Sequence, residues 1–256
     1  MDEVILMPRF DMPKAEPLLP AMTREKQVDS PCAACEVRHL AVCSALEGDE
    51  LAKMNAILQH KALSAGDILF DEGEPANNVY NLTYGCLKLY KLLPDGRRQV
   101  TGFLFPGDFV GLANSDEYIY SAEAVTGITL CRFDKNKLQQ LMNEHNNLEK
   151  RLFGLARFEL AEAQEQILLL GRKTAKERIA SFILMLSKRA ERRGEKGNPV
   201  ELPMSRNDIG DYLGLTTETV SRTLTRLRKS GAISLDTDRS ILINERETLV
   251  NISEGF

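Results

Sequence analysis

The stretch from Leu63 to Phe133 constrains the fold most, because short β-type runs alternate there with turn signals. Turn residues occur at Glu72–Pro75, Pro94–Gly96 and Pro106–Asp108. Short, evenly spaced strands punctuated by proline and glycine predict a small antiparallel β-barrel or roll. The predicted strands are Asp67–Phe70, Val79–Leu82, Cys86–Leu92, Gln99–Phe105, Ser121–Val125 and Ile128–Phe133.

Helical patterns flank this β-region. Residues 47–60 place Leu51, Met54 and Leu58 three and four residues apart, and residues 134–170 have the same kind of periodicity. The second pattern contains a narrow heptad stripe, which predicts a two-helix seam and therefore a homodimer. A single amphipathic core helix is the alternative. The seam residues are Phe153, Ala156, Leu160, Ala163, Ile167 and Leu170.

A helix-turn-helix pattern begins at Ser205. Ser205 and Asp208 have the spacing of a capping box, Gly214 supplies a turn, and a second helix runs to about Lys229. Because the second helix of this motif enters the major groove of double-stranded DNA, its exposed N-terminal residues are the candidate DNA contacts. Two packed structural helices are the alternative. The candidate contacts are Thr217, Glu218, Ser221 and Arg222; Ile233–Leu235 and Ile241–Ile243 predict a β-wing.

The charge distribution is uneven. The net charge is −4, but residues 172–193 are strongly basic, either to contact phosphates or as an ordinary solvated helix face. Residues 1–30 contain four prolines and no clear periodicity, so we expect a mobile extension. The sequence has neither a membrane span nor a secretory signal, which predicts a cytoplasmic protein.

Cysteines form the second informative pattern. Cys32, Cys35 and Cys43 lie close together in the sequence, and Cys131 follows far down the chain. In a reducing compartment, clustered cysteines more often bind metal than form disulfides. Four thiolates can hold a [4Fe–4S] cluster, but His39 with the first three cysteines would also suit zinc. The spacing leaves both metals open.

The chain resembles the CRP/FNR family of bacterial transcription regulators from about Cys32 to Ile243. Three segments carry the resemblance: Pro106–Gly111, Asp208–Leu215 and Glu218–Arg222. The resemblance implies an α+β architecture with an antiparallel, cyclic-nucleotide-binding-like β-roll sensor domain, a long dimerisation helix and a C-terminal winged helix-turn-helix. We therefore divide the chain into an extension (1–30), a cysteine loop and β-roll (31–145), a dimerisation helix (146–172) and a DNA-binding domain (173–256).

The resemblance also implies what is sensed. Cyclic-nucleotide binders of the family have a glutamate after the Pro106–Gly111 turn and an arginine where this chain has Tyr120, so a cyclic nucleotide is not the expected ligand. The four cysteines instead resemble the FNR branch, and its FnrN-like members in particular. That likeness implies a [4Fe–4S] cluster on Cys32, Cys35, Cys43 and Cys131, loss of the cluster to oxygen, TTGAT-like DNA half-sites and RNA polymerase as a partner.

Two rival classes stay open at this point. One is a small-molecule-responsive regulator with a structural zinc, and the other is a redox protein whose helix-turn-helix is incidental. No catalytic motif is visible in the sequence, so we do not expect an enzyme. Cys86 is predicted to be a buried thiol and is the substitute ligand if Cys131 is not the fourth.

Overall fold

The computed structural model describes residue 32 and residues 34–112, 116–237 and 239–256, without the side chain of residue 237. The extension predicted over residues 1–30 lies outside the described residues. Two antiparallel four-stranded sheets, β1-β8-β3-β6 and β2-β7-β4-β5, form the predicted β-roll. Its elements are α1 (Gly48–Ile57), β1 (Leu58–Leu63), β2 (Ile68–Phe70), β3 (Asn78–Tyr84), β4 (Leu87–Leu92), β5 (Arg98–Leu104), β6 (Phe109–Val110), β7 (Ser121–Ala124) and β8 (Ile128–Asp134).

The helix predicted over residues 47–60 is shorter than expected. Helix α1 ends at Ile57, and the next residues form β1, which pairs with β8 from Leu58↔Phe133 to Leu63↔Ile128. The prediction was wrong here because Leu58 packs on the core from a strand as well as it would from a helix. Backbone pairing with β8, which is distant in the sequence and is not reported by local periodicity, selects the strand over the helix.

The continuous helix predicted over residues 134–170 is two helices, α2 (Lys135–Glu144) and α3 (Asn146–Arg172). Asp134 caps α2 by accepting hydrogen bonds from the backbone amides of Asn136 and Lys137. His145 leaves the helical conformation, with φ −132° and ψ 89°, and its Nδ1 lies 3.1 Å from Glu50 Oε1. Helix α3 covers the residues predicted for dimerisation.

The C-terminal part is the predicted winged helix-turn-helix. Helices α5 (Arg206–Leu213) and α6 (Thr217–Lys229) form the motif, and strand β9 (Val200–Glu201) adds to the hairpin of β10 (Ile233–Thr237) and β11 (Ser240–Ile243) to complete a three-stranded wing of order β10-β11-β9. Helix α4 (Ala175–Arg192), which was not predicted, buries Ile179, Phe182 and Ile183 in the core of this domain. Helix α7 (Arg246–Glu254) follows the wing.

Arg178 and Arg189 of the basic segment 172–193 bind groups on neighbouring elements. Arg178 donates to the backbone carbonyls of Lys173, Leu213 and Leu170. Arg189 donates to the carbonyl of Phe103 and, at 2.8 Å, to Asp108. For these two arginines the expectation of phosphate contacts was wrong, because they join α4 to neighbouring elements.

The roll and the DNA-binding domain share one apolar core. The rings of Phe103 in β5, Phe182 in α4 and Tyr212 in α5 lie 5.3–6.1 Å apart. Aromatic rings at such distances bury a large apolar area and attract each other, which stabilises the packing of these three elements. The two domains therefore pack directly on each other. Within the described residues, no helix has both the length and the apolar character needed to cross a membrane.

Candidate metal centre and nucleic-acid interface

The loop before α1 positions three of the cysteines. Short backbone bonds shape it, including Arg38 N to the carbonyl of Cys35 at 3.2 Å. Cys32 is buried, and its Sγ lies 3.5 Å from Asn55 Oδ1 on α1. Cys43 belongs to a single 3-10 turn whose first residue, Val42, is fully buried. The loop is thus folded onto the roll.

Cys131 lies in the middle of the first sheet. In β8 it pairs with His60 of β1 on one side and Asn81 of β3 on the other, and Asn81 in turn pairs with Phe109 of β6. Directly paired residues of antiparallel strands share a face. The row His60–Cys131–Asn81–Phe109 therefore crosses the sheet on the side covered by the cysteine loop.

The four predicted ligands line one cavity of about 480 Å³. Its walls are largely apolar and include Val42, Met54, Leu58 and Phe133. The loop and Cys131 are almost a hundred residues apart in the sequence, and the fold brings them together. The cavity-lining cysteines are Cys32, Cys35, Cys43 and Cys131.

Burial in the cavity raises the pKa values of Cys32, Cys43 and Cys131. Burial, followed by the neighbouring cysteines, raises the pKa of Cys43 to about 11 and that of Cys131 to about 12. Burial and Cys35 also raise the pKa of Cys32. These thiols hold their protons at neutral pH. A positively charged partner would be needed to hold several of them in the cavity as thiolates.

The donor set fits an iron–sulfur cluster. A [4Fe–4S] cluster takes four cysteine thiolates, one per iron, and an apolar shell around the sulfurs is typical of such sites. Across the described ranges, no group of three or more His, Cys, Asp or Glu side chains is placed so that it could hold a metal ion as it stands. His39, the fourth ligand of the zinc alternative, is exposed and donates to the carbonyl of Glu36 at 3.0 Å. The imidazole that lines the cavity is His60, which sequence reasoning missed.

Cys86 lies in a different core. It is 1% exposed and packs among residues shared by the roll and the DNA-binding domain. Burial raises its pKa to about 12. Cys86 immediately precedes β4, and was predicted to lie within that strand. Its position is that of a structural thiol.

The cysteine loop touches the roll and α3 directly. Gly107 has φ +97°, and a Cβ there would lie 2.5 Å from Leu40 Cβ, so only glycine lets the loop seat on this turn. Arg151 of α3 reaches the loop from the other side. Its Nη2 donates to the carbonyl of Leu40, and its Nε donates to that of Ala41 at 3.3 Å.

Helix α3 presents an apolar stripe to solvent. Phe153, Leu160 and Ile167 are 65%, 60% and 71% exposed. Ala156 and Ala163 are exposed on the same stripe, while Leu170 is half-buried against the core of the DNA-binding domain. A contiguous exposed apolar stripe indicates an interaction surface. Five of the six predicted seam residues are therefore available to a partner, and the sixth anchors the helix end.

The helix-turn-helix has the predicted local geometry. Ser205 and Asp208 form both bonds of the capping box, and Gly214 adopts the left-handed conformation at φ +62°. Thr216 caps α6 by accepting from the amide of Thr219. At Gly210 a Cβ would lie 2.6 Å from the carbonyl oxygen of Leu215, so glycine permits the close approach of the two helices.

Helix α6 separates its buried and exposed faces. Val220, Leu224 and Leu227 are buried. Glu218 and Arg222 form an exposed pair at 3.6 Å, which leaves both groups available. Arginine can donate two bonds to guanine, and glutamate can accept from cytosine. The four predicted DNA contacts are all exposed: Thr217, Glu218, Ser221 and Arg222.

A charge network missed by sequence reasoning joins the roll to α5. Lys88 of β4 is 5% exposed and lies 2.8 Å from Glu123 and 2.9 Å from Asp208. Arg98 of β5 lies 2.9 Å from both Asp208 and Asp211. The alternation of Lys88 with Leu87 and Leu89 gave no sign of burial, since Glu123 lies on another strand and Asp208 is 120 residues away.

The β-roll, the long helix with an exposed apolar stripe and the winged helix-turn-helix define a DNA-binding transcription regulator with a sensor domain. Two family models match the chain: a cyclic nucleotide-binding domain over residues 60–145 and a Crp-like helix-turn-helix domain over residues 177–252. The chain belongs to the CRP/FNR family of transcription regulators, whose members bind DNA and dimerise.

Curated relatives and a solved structure agree. The chain is 42% identical to the nitrogen fixation regulation protein FixK of Bradyrhizobium diazoefficiens, over 80% of this chain and 86% of the relative. It is 35% identical to the transcriptional activator protein FnrL of Cereibacter sphaeroides, over 84% and 88%. The structure of FixK2 from Bradyrhizobium japonicum aligns with a TM-score of 0.72 and 36% identity, over 77% of this chain and 97% of that chain. The chain is a transcription activator of the CRP/FNR type.

Proposed function

We propose that this activator senses oxygen through a [4Fe–4S] cluster held by Cys32, Cys35, Cys43 and Cys131. It binds palindromic DNA as a homodimer while the cluster is intact, and so controls anaerobic or microaerobic gene expression. The observation that carries the proposal is the convergence of a sequence-local cysteine loop and a distant strand cysteine on one apolar cavity. The likeness of the cysteine pattern to the FNR branch supports it.

The chemistry that the cluster supplies is an oxygen-labile tie between the loop and β8. The chain's own residues carry the consequence to α3. Leu40 seats on Gly107, and Arg151 binds the loop carbonyls of Leu40 and Ala41. Because a tethered loop offers these carbonyls in a fixed position, it favours one placement of the first turns of α3. A loop released from β8 does not.

The exposed stripe of α3 completes the switch. An isologous dimer packs the same stripe of both protomers together, and the small residues Ala156 and Ala163 permit close approach. Cluster binding and dimerisation then favour the same state, so each strengthens the other. The dimer presents two α6 helices about one DNA turn apart. Glu218, Ser221 and Arg222 read TTGAT-like half-sites, and the DNA-bound activator contacts RNA polymerase.

The interior of the roll argues against a cyclic nucleotide as the signal. The rings of Phe70 and Tyr118 stack at 3.7 Å, with Tyr80 and Tyr120 about 6 Å from Phe70. These side chains belong to the apolar core between the two sheets or pack against it. A buried phosphate would need a cation that Tyr120 does not provide.

Anaerobic purification followed by iron, sulfide and zinc quantification tests the proposal. We expect iron and sulfide in equal amounts, a visible absorption band that oxygen bleaches, and loss of all three in single alanine variants of the four ligands. Cys86→Ala is the matched control and should keep the cluster and DNA binding.

Three results would redirect the proposal. Stoichiometric zinc with no visible band would support the structural-zinc alternative. If Cys86→Ala loses iron and Cys131→Ala keeps it, the fourth ligand is wrongly assigned. If the intact cluster leaves binding to a palindromic duplex unchanged, the cluster is not the switch.

A further inference from the structure

Asn81 is a polar residue in an otherwise apolar part of the sheet. It is 3% exposed, and its neighbours on the same face include Val79, Phe109 and Phe133. Its Nδ2 donates at 3.2 Å to the carbonyl of the adjacent Leu82. Within the described part of the chain, its Oδ1 is buried and has no hydrogen-bond partner.

The unpartnered end of this amide lies at the cysteine cavity. Asn81 lines the cavity and pairs in register with Cys131. A buried polar atom without a partner costs free energy that leucine, of nearly the same shape, would avoid. An asparagine at this position therefore indicates a polar partner that enters the cavity.

We propose that the Asn81 carboxamide hydrogen-bonds to the iron–sulfur cluster beside Cys131 and slows its attack by oxygen. This inference rests on the proposed function. A thiolate or cluster sulfide can accept from Nδ2 after half a turn of the amide about Cβ–Cγ. Asn81 thereby acts on the sulfur atoms directly, as a hydrogen-bond donor.

The direction of the effect follows from charge. A bound cluster would be open to oxidation by O₂, which would take one electron from it. A hydrogen-bond donor to sulfur stabilises the more negative state of the cluster, and so raises its reduction potential. Removal of the donor makes electron loss easier and cluster loss faster.

Asn81→Leu tests the inference with two independent readouts on the full chain. The first is the rate at which dissolved oxygen bleaches the visible band of the cluster-loaded protein. We expect it to rise about tenfold, the effect of one hydrogen bond to a charged group. The second is the unfolding midpoint of the cluster-free protein in denaturant, which should stay the same or rise because an unsatisfied polar group is removed.

Three companion variants guard against effects on folding. Val79→Ala disturbs packing on the same strand and face, and should lower the unfolding midpoint while leaving the bleaching rate within about twofold. Asn81→Val and Asn81→Thr have matched shapes and differ by a hydroxyl donor. The threonine variant should bleach more slowly than the valine variant.

Each outcome decides the inference. Faster bleaching of Asn81→Leu, with an unimpaired cluster-free fold and slower bleaching of threonine than valine, supports it. If the wild-type protein holds the cluster and Asn81→Leu bleaches at the wild-type rate, the inference is overturned and the proposed function is unaffected. A lower unfolding midpoint of cluster-free Asn81→Leu would assign the amide a purely structural role. Wild-type protein without iron and sulfide overturns both proposals.

Discussion

Replacing Arg151 with methionine should uncouple dimerisation from the cluster. Arg151 joins α3 to the cysteine loop through two bonds from a charged guanidinium to backbone carbonyls, those of Leu40 and Ala41. Methionine keeps the aliphatic stem and helix propensity but removes both donors. The ligand cysteines remain in place, so the variant should still assemble the cluster.

The expected magnitude follows from those two bonds. Hydrogen bonds to charged groups contribute about 1.5–3 kcal/mol when buried, but Arg151 is half-exposed and water replaces part of each bond, so about 1 kcal/mol per bond is appropriate. The coupling free energy between cluster binding and dimerisation should fall by up to about 2 kcal/mol per protomer, which is about thirtyfold in the corresponding equilibrium constant. An isologous dimer contains the link twice, which makes the expected upper limit about 4 kcal/mol.

Sedimentation of cluster-free and cluster-loaded protein, under anaerobic conditions, measures the coupling. The quantity of interest is the ratio of the two dimer dissociation constants. We expect a large ratio for wild type, a much smaller one for Arg151→Met, and the wild-type ratio for the exposed neighbour Lys150→Met. An Arg151→Met protein with full iron content and an unchanged ratio would refute the link through the loop carbonyls.

Other residues give sharper single tests. Cys86 is buried and its pKa is raised to about 12, so alkylation at pH 8 should spare it in the folded cluster-free protein and reach it after unfolding, as mass spectrometry can show. Arg222→Ala should lose about 1–3 kcal/mol of discrimination at a guanine, measured by competition between specific and random duplexes; equal weakening on both would assign it to phosphate. Ala163→Asp places like charges at the dimer axis and should leave the cluster-free protein monomeric in sedimentation; an unchanged equilibrium would remove Ala163 from the interface. Burial favours a higher pKa for Asp208, but bonds from Ser205 and Lys88 outweigh it and hold the pKa below the ordinary 3.8. The ionised Asp208 therefore stabilises the fold fully above that pH, and the stabilisation is lost as the pH falls through the lower pKa of the folded protein. Acid unfolding of Asp208→Asn should lack this pH-dependent component, and an acid-unfolding curve like that of wild type would show that the network contributes nothing.

Local chemistry was enough to predict much of this protein. The capping box at Ser205, the turn at Gly214 and the segregated faces of α6 depend on residues a few positions apart, and the structure has each of them. Strand alternation with turn residues predicted the roll for the same reason. The heptad stripe on α3 is likewise a property of one helix, although only the structure shows that its apolar residues are exposed.

Only the tertiary structure decided which distant residues meet. Pairing with β8 turned Leu58 and the residues after it from predicted helix into strand, and the same sheet placed Cys131 between His60 and Asn81. Lys88 reads as an ordinary solvent-facing lysine until α5 brings Asp208 to it. Periodicity reports which face of an element is apolar, whereas the partner of that face depends on loop closure and packing over the whole chain. The cavity that gathers the four cysteines is a product of that packing.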